Sequence, residues 1–99
     1  MMLGDKVIAE DAERMGMIYK VFNDESFAEE SLKIADTISK MPTRGLAFTK
    51  QALNFSLHNT FEEQLQDEDL LQQRAASTYD YKEGVQAFLE KRKANFRGE

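Results

Sequence analysis

Apolar residues recur at helical spacing over most of this chain, and the breaks fall at glycine, proline and short polar stretches. Over residues 9 to 15, Ala12 and Met15 stand three apart while Glu10, Asp11 and Glu13 take the other face, which predicts a short first helix. Ile8 precedes it, placed to pack on Ala12 across the helix entry. Gly16 then offers the left-handed residue that closes a helix at least cost. Ile18, Tyr19, Val21 and Phe22 favour extended backbone and predict one short extended piece, which has no evident partner strand. Asn23-Asp24-Glu25-Ser26 reads as a turn and a cap. Phe27, Ala28, Leu32, Ala35, Ile38 and Met41 then predict an amphipathic helix of about four turns, stopped by Pro42 because the residue before proline is pushed out of helical geometry.

Pro42 suits the opening of the next helix, whose first N–H groups have no partner in any case. Leu46, Phe48 (or its neighbour Ala47), Leu53 and Leu57 keep the helical period to residue 57. Gly45 inside that run costs about 1 kcal/mol against alanine, and the expectation is that it lets another helix come close. Thr60 and Glu63 form the pair Thr-x-x-Glu, a capping box, ahead of a long acidic helix carrying Phe61, Leu65, Leu70, Leu71 and Ala75. Ser77-Thr78-Tyr79 links it to a last helix read from Tyr79 to Phe96. There Asp80 is the expected cap, with Glu83 reaching back to it, and Val85, Phe88, Leu89 and Arg92 share one face. The fold class is therefore all-α, with about five helices and at most one short extended piece between residues 18 and 22, in a single helical domain over 1–99.

Composition narrows the partners. The 99 residues carry 13 Lys+Arg against 18 Asp+Glu, a net charge of −5, which makes nucleic acid a poor partner. There is no cysteine, hence no disulfide framework, and a cytoplasmic setting is compatible. No apolar run approaches the roughly 20 residues that span a bilayer, so no membrane contact is expected. Met1-Met2-Leu3-Gly4-Asp5 lacks the basic and apolar regions of a signal peptide. His58, the one histidine, sits at a predicted helix end, where satisfying carbonyls is its simpler role. Asp67, Glu68 and Asp69 are consecutive on a helix and so diverge, which describes a solvated acidic face better than a metal site. Neither a metal nor a covalently bound cofactor is expected, and no catalytic residue is named.

One cluster runs against the acidic balance: Lys91, Arg92, Lys93 and Arg97 gather beside Phe88. Phe88 and Lys91, three apart, would lie side by side on a helix surface. Ring and cations together suit a ligand with a purine and phosphates; on chemistry alone the simpler reading is a solvated helix end, where cations favour the dipole.

The words Glu83-Gly84, Ala87-Phe88-Leu89-Glu90-Lys91-Arg92 and the closing Phe96 resemble the C-terminus of the crotonase superfamily, the enoyl-CoA hydratases and isomerases. Leu3-Gly4-Asp5-Lys6-Val7-Ile8-Ala9-Glu10-Asp11-Ala12, Met15-Gly16-Met17-Ile18-Tyr19-Lys20-Val21-Phe22, Met41-Pro42-Thr43 and Lys50-Gln51-Ala52-Leu53 add matches in family order, so the resemblance covers essentially the whole chain. It departs at Ile8, where many relatives cap the first helix with Ser or Thr. The resemblance implies self-association through trimer-type contacts, with Phe88 on the adenine and Lys91 on the phosphates of a coenzyme A thioester substrate in the intact assembly. It also implies that the catalytic α/β core, with its oxyanion hole and acidic residues, lies in a preceding region this sequence does not contain. On that reading the chain is a truncated gene product or an excised piece, catalytically inert alone. Tyr79-Asp80-Tyr81-Lys82-Glu83-Gly84-Val85 and Met17-Ile18-Tyr19-Lys20-Val21 look closer to the ring-isomerase branch of phenylacetyl-CoA degradation than to the fatty-acid hydratases. The rival reading is a free-standing helical oligomerisation module without a ligand.

Overall fold

Five helices make up the regular structure of residues 4–99, the part of the chain described by the computed structural model. They are α1 (Ala9–Arg14), α2 (Asp24–Ser39), α3 (Thr43–Phe55), α4 (Phe61–Ala76) and α5 (Tyr79–Leu89). Among the described residues there is no strand, so the all-α expectation holds. The opening Met1-Met2-Leu3, read above as no signal peptide, and the Leu3 of the first family word lie outside the described residues. The chain divides into two units, Met1–Ile34 and Ala35–Glu99, and α2 ends the first and opens the second.

In the first unit α1 is closed as its sequence predicts. Gly16 takes φ +74 just beyond the cap residue Met15, its N–H reaches the Glu13 carbonyl at 2.9 Å, and the Met17 N–H reaches the Ala12 carbonyl at 2.8 Å. This is a Schellman motif, in which the left-handed residue lets two otherwise orphaned carbonyls be satisfied. Ile8 is the N-cap residue and makes no side-chain cap bond. The stretch expected to be extended has no strand partner; its tie to α1 is the Val21 N–H, which donates to the Glu13 carboxylate at 2.8 Å.

The second unit stacks α3 on α4 and α4 on α5. The capping box at Thr60 is formed in both directions: the Glu63 N–H donates to the Thr60 hydroxyl at 3.3 Å and the Thr60 N–H donates to the Glu63 carboxylate at 2.8 Å. Those bonds to Thr60 hold the Glu63 carboxyl below its usual range. Pro42 stands at the N-cap of α3, one residue outside it, and α3 ends at Phe55, with residues 56–58 in a turn rather than in the helix expected through 57. Gly45 does not serve a close helix approach. A Cβ built there would meet only the Pro42 Cβ, at 4.0 Å, in its own first turn.

The buried apolar core is small, with Leu71 at 5% exposure and Ala87 at 2%. Phe27, Leu32, Leu53, Leu57, Phe61 and Leu89 all remain exposed, whereas Phe48 and Phe55 are half-buried. Leaving that many large apolar side chains in water forfeits the main favourable contribution to folding.

Candidate functional site

The last helix is shorter than its sequence suggests, and its ends are made differently. The cap is Thr78, whose hydroxyl accepts from the Tyr81 N–H at 3.1 Å. Asp80, expected to be the cap, lies inside the first turn and is 2% exposed. Glu83 does not reach back to the N-terminus. At the other end α5 stops at Leu89, and the chain to Phe96 and beyond is not helical. Two competing interactions explain both corrections, because Asp80 and Glu83 are engaged by the chain that returns along α5.

The return begins at Lys91, which follows the cap residue Glu90 and takes φ +52, the left-handed region. The Lys91 N–H reaches the Phe88 carbonyl at 3.2 Å and the Arg92 N–H reaches the Ala87 carbonyl at 3.0 Å, a second Schellman motif. The Arg92 guanidinium then grips Glu83 with two bonds, 2.6 and 2.9 Å, and also donates to Glu90 at 2.5 Å. The Asn95 N–H adds a third bond to Glu83 at 2.8 Å. One turn earlier on the same face, the Asp80 carboxylate accepts from the Arg97 N–H at 2.7 Å and the Gly98 N–H at 2.8 Å. The Asp80 N–H in turn donates to the Glu99 carbonyl at 3.0 Å. Gly98, at φ +77, packs so closely on α3 that a Cβ there would stand 2.7 Å from the Thr43 hydroxyl.

Electrostatics follow this geometry. The paired Arg92 guanidinium, with help from the Asn95 N–H, pulls the Glu83 carboxyl down to about 2. Hydrogen bonds from Gln86 and Arg92 lower Glu90 as well, and Glu83 and Glu90 hold the Arg92 guanidinium above its ordinary value. The cation cluster is thus divided. Arg92 belongs to the clamp, and Arg97 lies over the Tyr79 ring, 4.5 Å from its centroid. No ion pair among the described residues includes Lys91 or Lys93.

Phe88 is 82% exposed on the last turn of α5. Lys91 is not on the helix surface beside it; it is the reversed residue just past the helix end, so the spacing argument that paired them fails, although both remain at the same end of α5. An apolar groove of about 430 Å³ opens along α5, lined by Pro42, Tyr81, Val85, Phe88, Leu89 and Phe96 among others. His58 is exposed in the turn after α3. The three consecutive acids go to separate partners, Asp67 to Asn59, Glu68 to Gln64 and Asp69 to Gln73, as divergent helix positions should. No helix among the described residues is long and apolar enough to cross a membrane.

The sequence model of one protein family, described as enoyl-CoA hydratase/isomerase, matches residues 1–99. The 1,2-epoxyphenylacetyl-CoA isomerase of Escherichia coli is 41% identical over 97 residues, covering 98% of this chain and 37% of that protein. A probable enoyl-CoA hydratase of Rhodobacter capsulatus is 36% identical over 97 residues, covering 98% and 38%. In three dimensions an enoyl-CoA hydratase from Polaromonas sp. JS666 superposes with a TM-score of 0.89 at 28% identity, again over 98% of this chain and 38% of the other. The chain thus spans well under half the length of the relatives it matches.

Proposed function

The chain belongs to the enoyl-CoA hydratase/isomerase family, and from that premise we propose that it is the C-terminal helical portion of a cytoplasmic enzyme that hydrates or isomerises enoyl-CoA thioesters. Its part is to bind the coenzyme end of the substrate and to make contacts between subunits. The observation that carries the reading is the end of α5, where an exposed aromatic ring stands beside a clamped turn whose left-handed lysine is in no ion pair among the described residues. In the intact assembly the Phe88 ring stacks on the adenine and the Lys91 ammonium meets the phosphates. Identity to the Escherichia coli isomerase supports the ring-isomerase branch of phenylacetyl-CoA degradation over a fatty-acid hydratase. The isolated chain carries no assigned catalytic group and turns over no crotonyl-CoA.

Steady-state kinetics of the intact enzyme test this. A base stacked on an aromatic ring contributes about 1–3 kcal/mol, and an exposed phosphate contact contributes less because salt screens it. Phe88→Ala therefore raises KM more than Lys91→Ala does, and only the Lys91→Ala effect shrinks as salt rises. If binding at this remote end of the substrate is uniform between ground and transition states, the loss appears in KM and kcat changes little. Unchanged KM in both variants would remove the coenzyme from this site.

The exposed apolar side chains of α2, α3 and α4 favour a second reading, a helical oligomerisation module with no ligand. Coenzyme A titration separates the two: chemical-shift changes at Phe88 and Lys91 support the first, and their absence supports the second.

A further inference from the structure

We propose that Glu83 is a positioning residue which, through the Arg92 guanidinium, holds Lys91 in the left-handed conformation and so presents its ammonium to an anionic ligand. The proposal rests on the coenzyme reading of Lys91 given above.

The chain contains the same helix-closing motif twice, and the two copies differ instructively. At the end of α1 the left-handed residue is Gly16, which adopts φ +74 without a side chain to clash; the carboxylate–guanidinium pair nearby, Asp11 with Arg14 at 2.6 Å, lies within the helix and does not hold the residue after the turn. At the end of α5 the corresponding residue is Lys91, at φ +52, with the same pair of backbone bonds. A side chain in this region crowds the backbone, which is why glycine is the usual choice. Strained backbone of this kind persists only where the surroundings over-determine it. Here they do: Arg92, the very next residue, is fixed by two bonds to Glu83 and one to Glu90, and Asn95 is fixed to Glu83 as well. The Glu83 side chain is only 10% exposed, so the pair is partly shielded from water. A turn wanted only for its shape would carry glycine and need no clamp. The clamp also neutralises Arg92 internally, which separates a structural cation from the lysine beside it.

The test uses the full 99-residue chain and three readouts: the melting midpoint, backbone carbon shifts at position 91, and titration with coenzyme A followed at Phe88 and Lys91. Lys91→Gly raises the melting midpoint and weakens coenzyme A binding. Glu83→Gln shifts the carbon resonances of Lys91 away from left-handed values. If Lys91 then keeps that conformation one tenth of the time, coenzyme A affinity falls about tenfold. The decisive measurement is coupling: with Lys91 in place, loss of the clamp lets the strained residue relax and offsets part of the loss, so Glu83→Gln costs less stability alone than in the Lys91→Gly background. Equal costs in the two backgrounds would show that Glu83 merely fastens the returning chain, and would overturn the proposal. That coupling in the chain, together with a KM of the intact enzyme unchanged in Phe88→Ala and Lys91→Ala, would instead sink the coenzyme reading, and with it the presentation of Lys91 to a ligand, leaving only a conformational clamp.

Discussion

Replacing Asp80 with alanine should unfasten the returning chain without melting the helices. The Asp80 carboxylate is 2% exposed and accepts from two backbone N–H groups, those of Arg97 at 2.7 Å and Gly98 at 2.8 Å. A hydrogen bond to a charged group contributes about 1.5–3 kcal/mol, and both bonds here are only partly buried, so the low end applies. The two together come to about 3 kcal/mol, to which the favourable placement of an acid in the first turn of α5 adds a few tenths. Since roughly 1.4 kcal/mol is a factor of ten, native-state hydrogen exchange at Arg97 and Gly98 should accelerate by about two orders of magnitude in Asp80→Ala. Amides in α3 and α4 should keep their protection, because neither helix takes a hydrogen bond from Asp80. Asp80→Asn keeps one acceptor oxygen and should fall between the two. Exchange at Arg97 and Gly98 unchanged in Asp80→Ala would mean that this carboxylate does not hold the chain end, and the account of the return along α5 would be wrong.

Other consequences are open to simpler measurements. Glu83 titrates in the folded chain near 2, well below an ordinary glutamate, so its stabilising effect is complete above the unfolded value and is lost as pH falls through about 2; the groups facing it are Arg92, Arg97 and Glu90. A carboxyl-carbon titration of Glu83 with a midpoint near the ordinary 4.3 would contradict the clamp. Gly45→Ala should stabilise α3 by up to about 1 kcal/mol, the figure for a helix interior, because the site is open and glycine is a poor helix former even in a first turn; a lower melting midpoint would reveal a contact that the geometry does not contain. The exposed apolar side chains of α2, α3 and α4 should drive self-association, visible by sedimentation at high micromolar concentration, and a clean monomer there would count against it.

What the sequence disclosed about these elements depended on how far apart the partners lie. Gly16 and the Thr60–Glu63 box were legible because each finishes a helix end with chemistry that spans no more than five residues. Asp80 and Glu83 were misassigned for the opposite reason. They stand at capping-box spacing, but their true partners lie nine to eighteen residues downstream, across a chain reversal. Thr78, two positions earlier, takes the cap through its hydroxyl, while the Asp80 carboxylate is buried against the returning chain. The reversal itself was hidden because its left-handed residue is lysine, where glycine would have marked the end of the helix. Phe88 was placed correctly on the surface of α5, whereas Lys91 was put on a helix that had already ended.

The way the helices are closed bears on when they form. Schellman turns at Gly16 and Lys91, the box at Thr60 and the hydroxyl cap at Thr78 all use partners within five residues. The core, by contrast, offers little beyond Leu71 and Ala87. Chains dominated by such short-range contacts cross low entropic barriers, and helix formation itself takes about a microsecond or less. Its helices can therefore flicker into place before they pack on one another. The slow event in its folding is then docking, not the making of secondary structure.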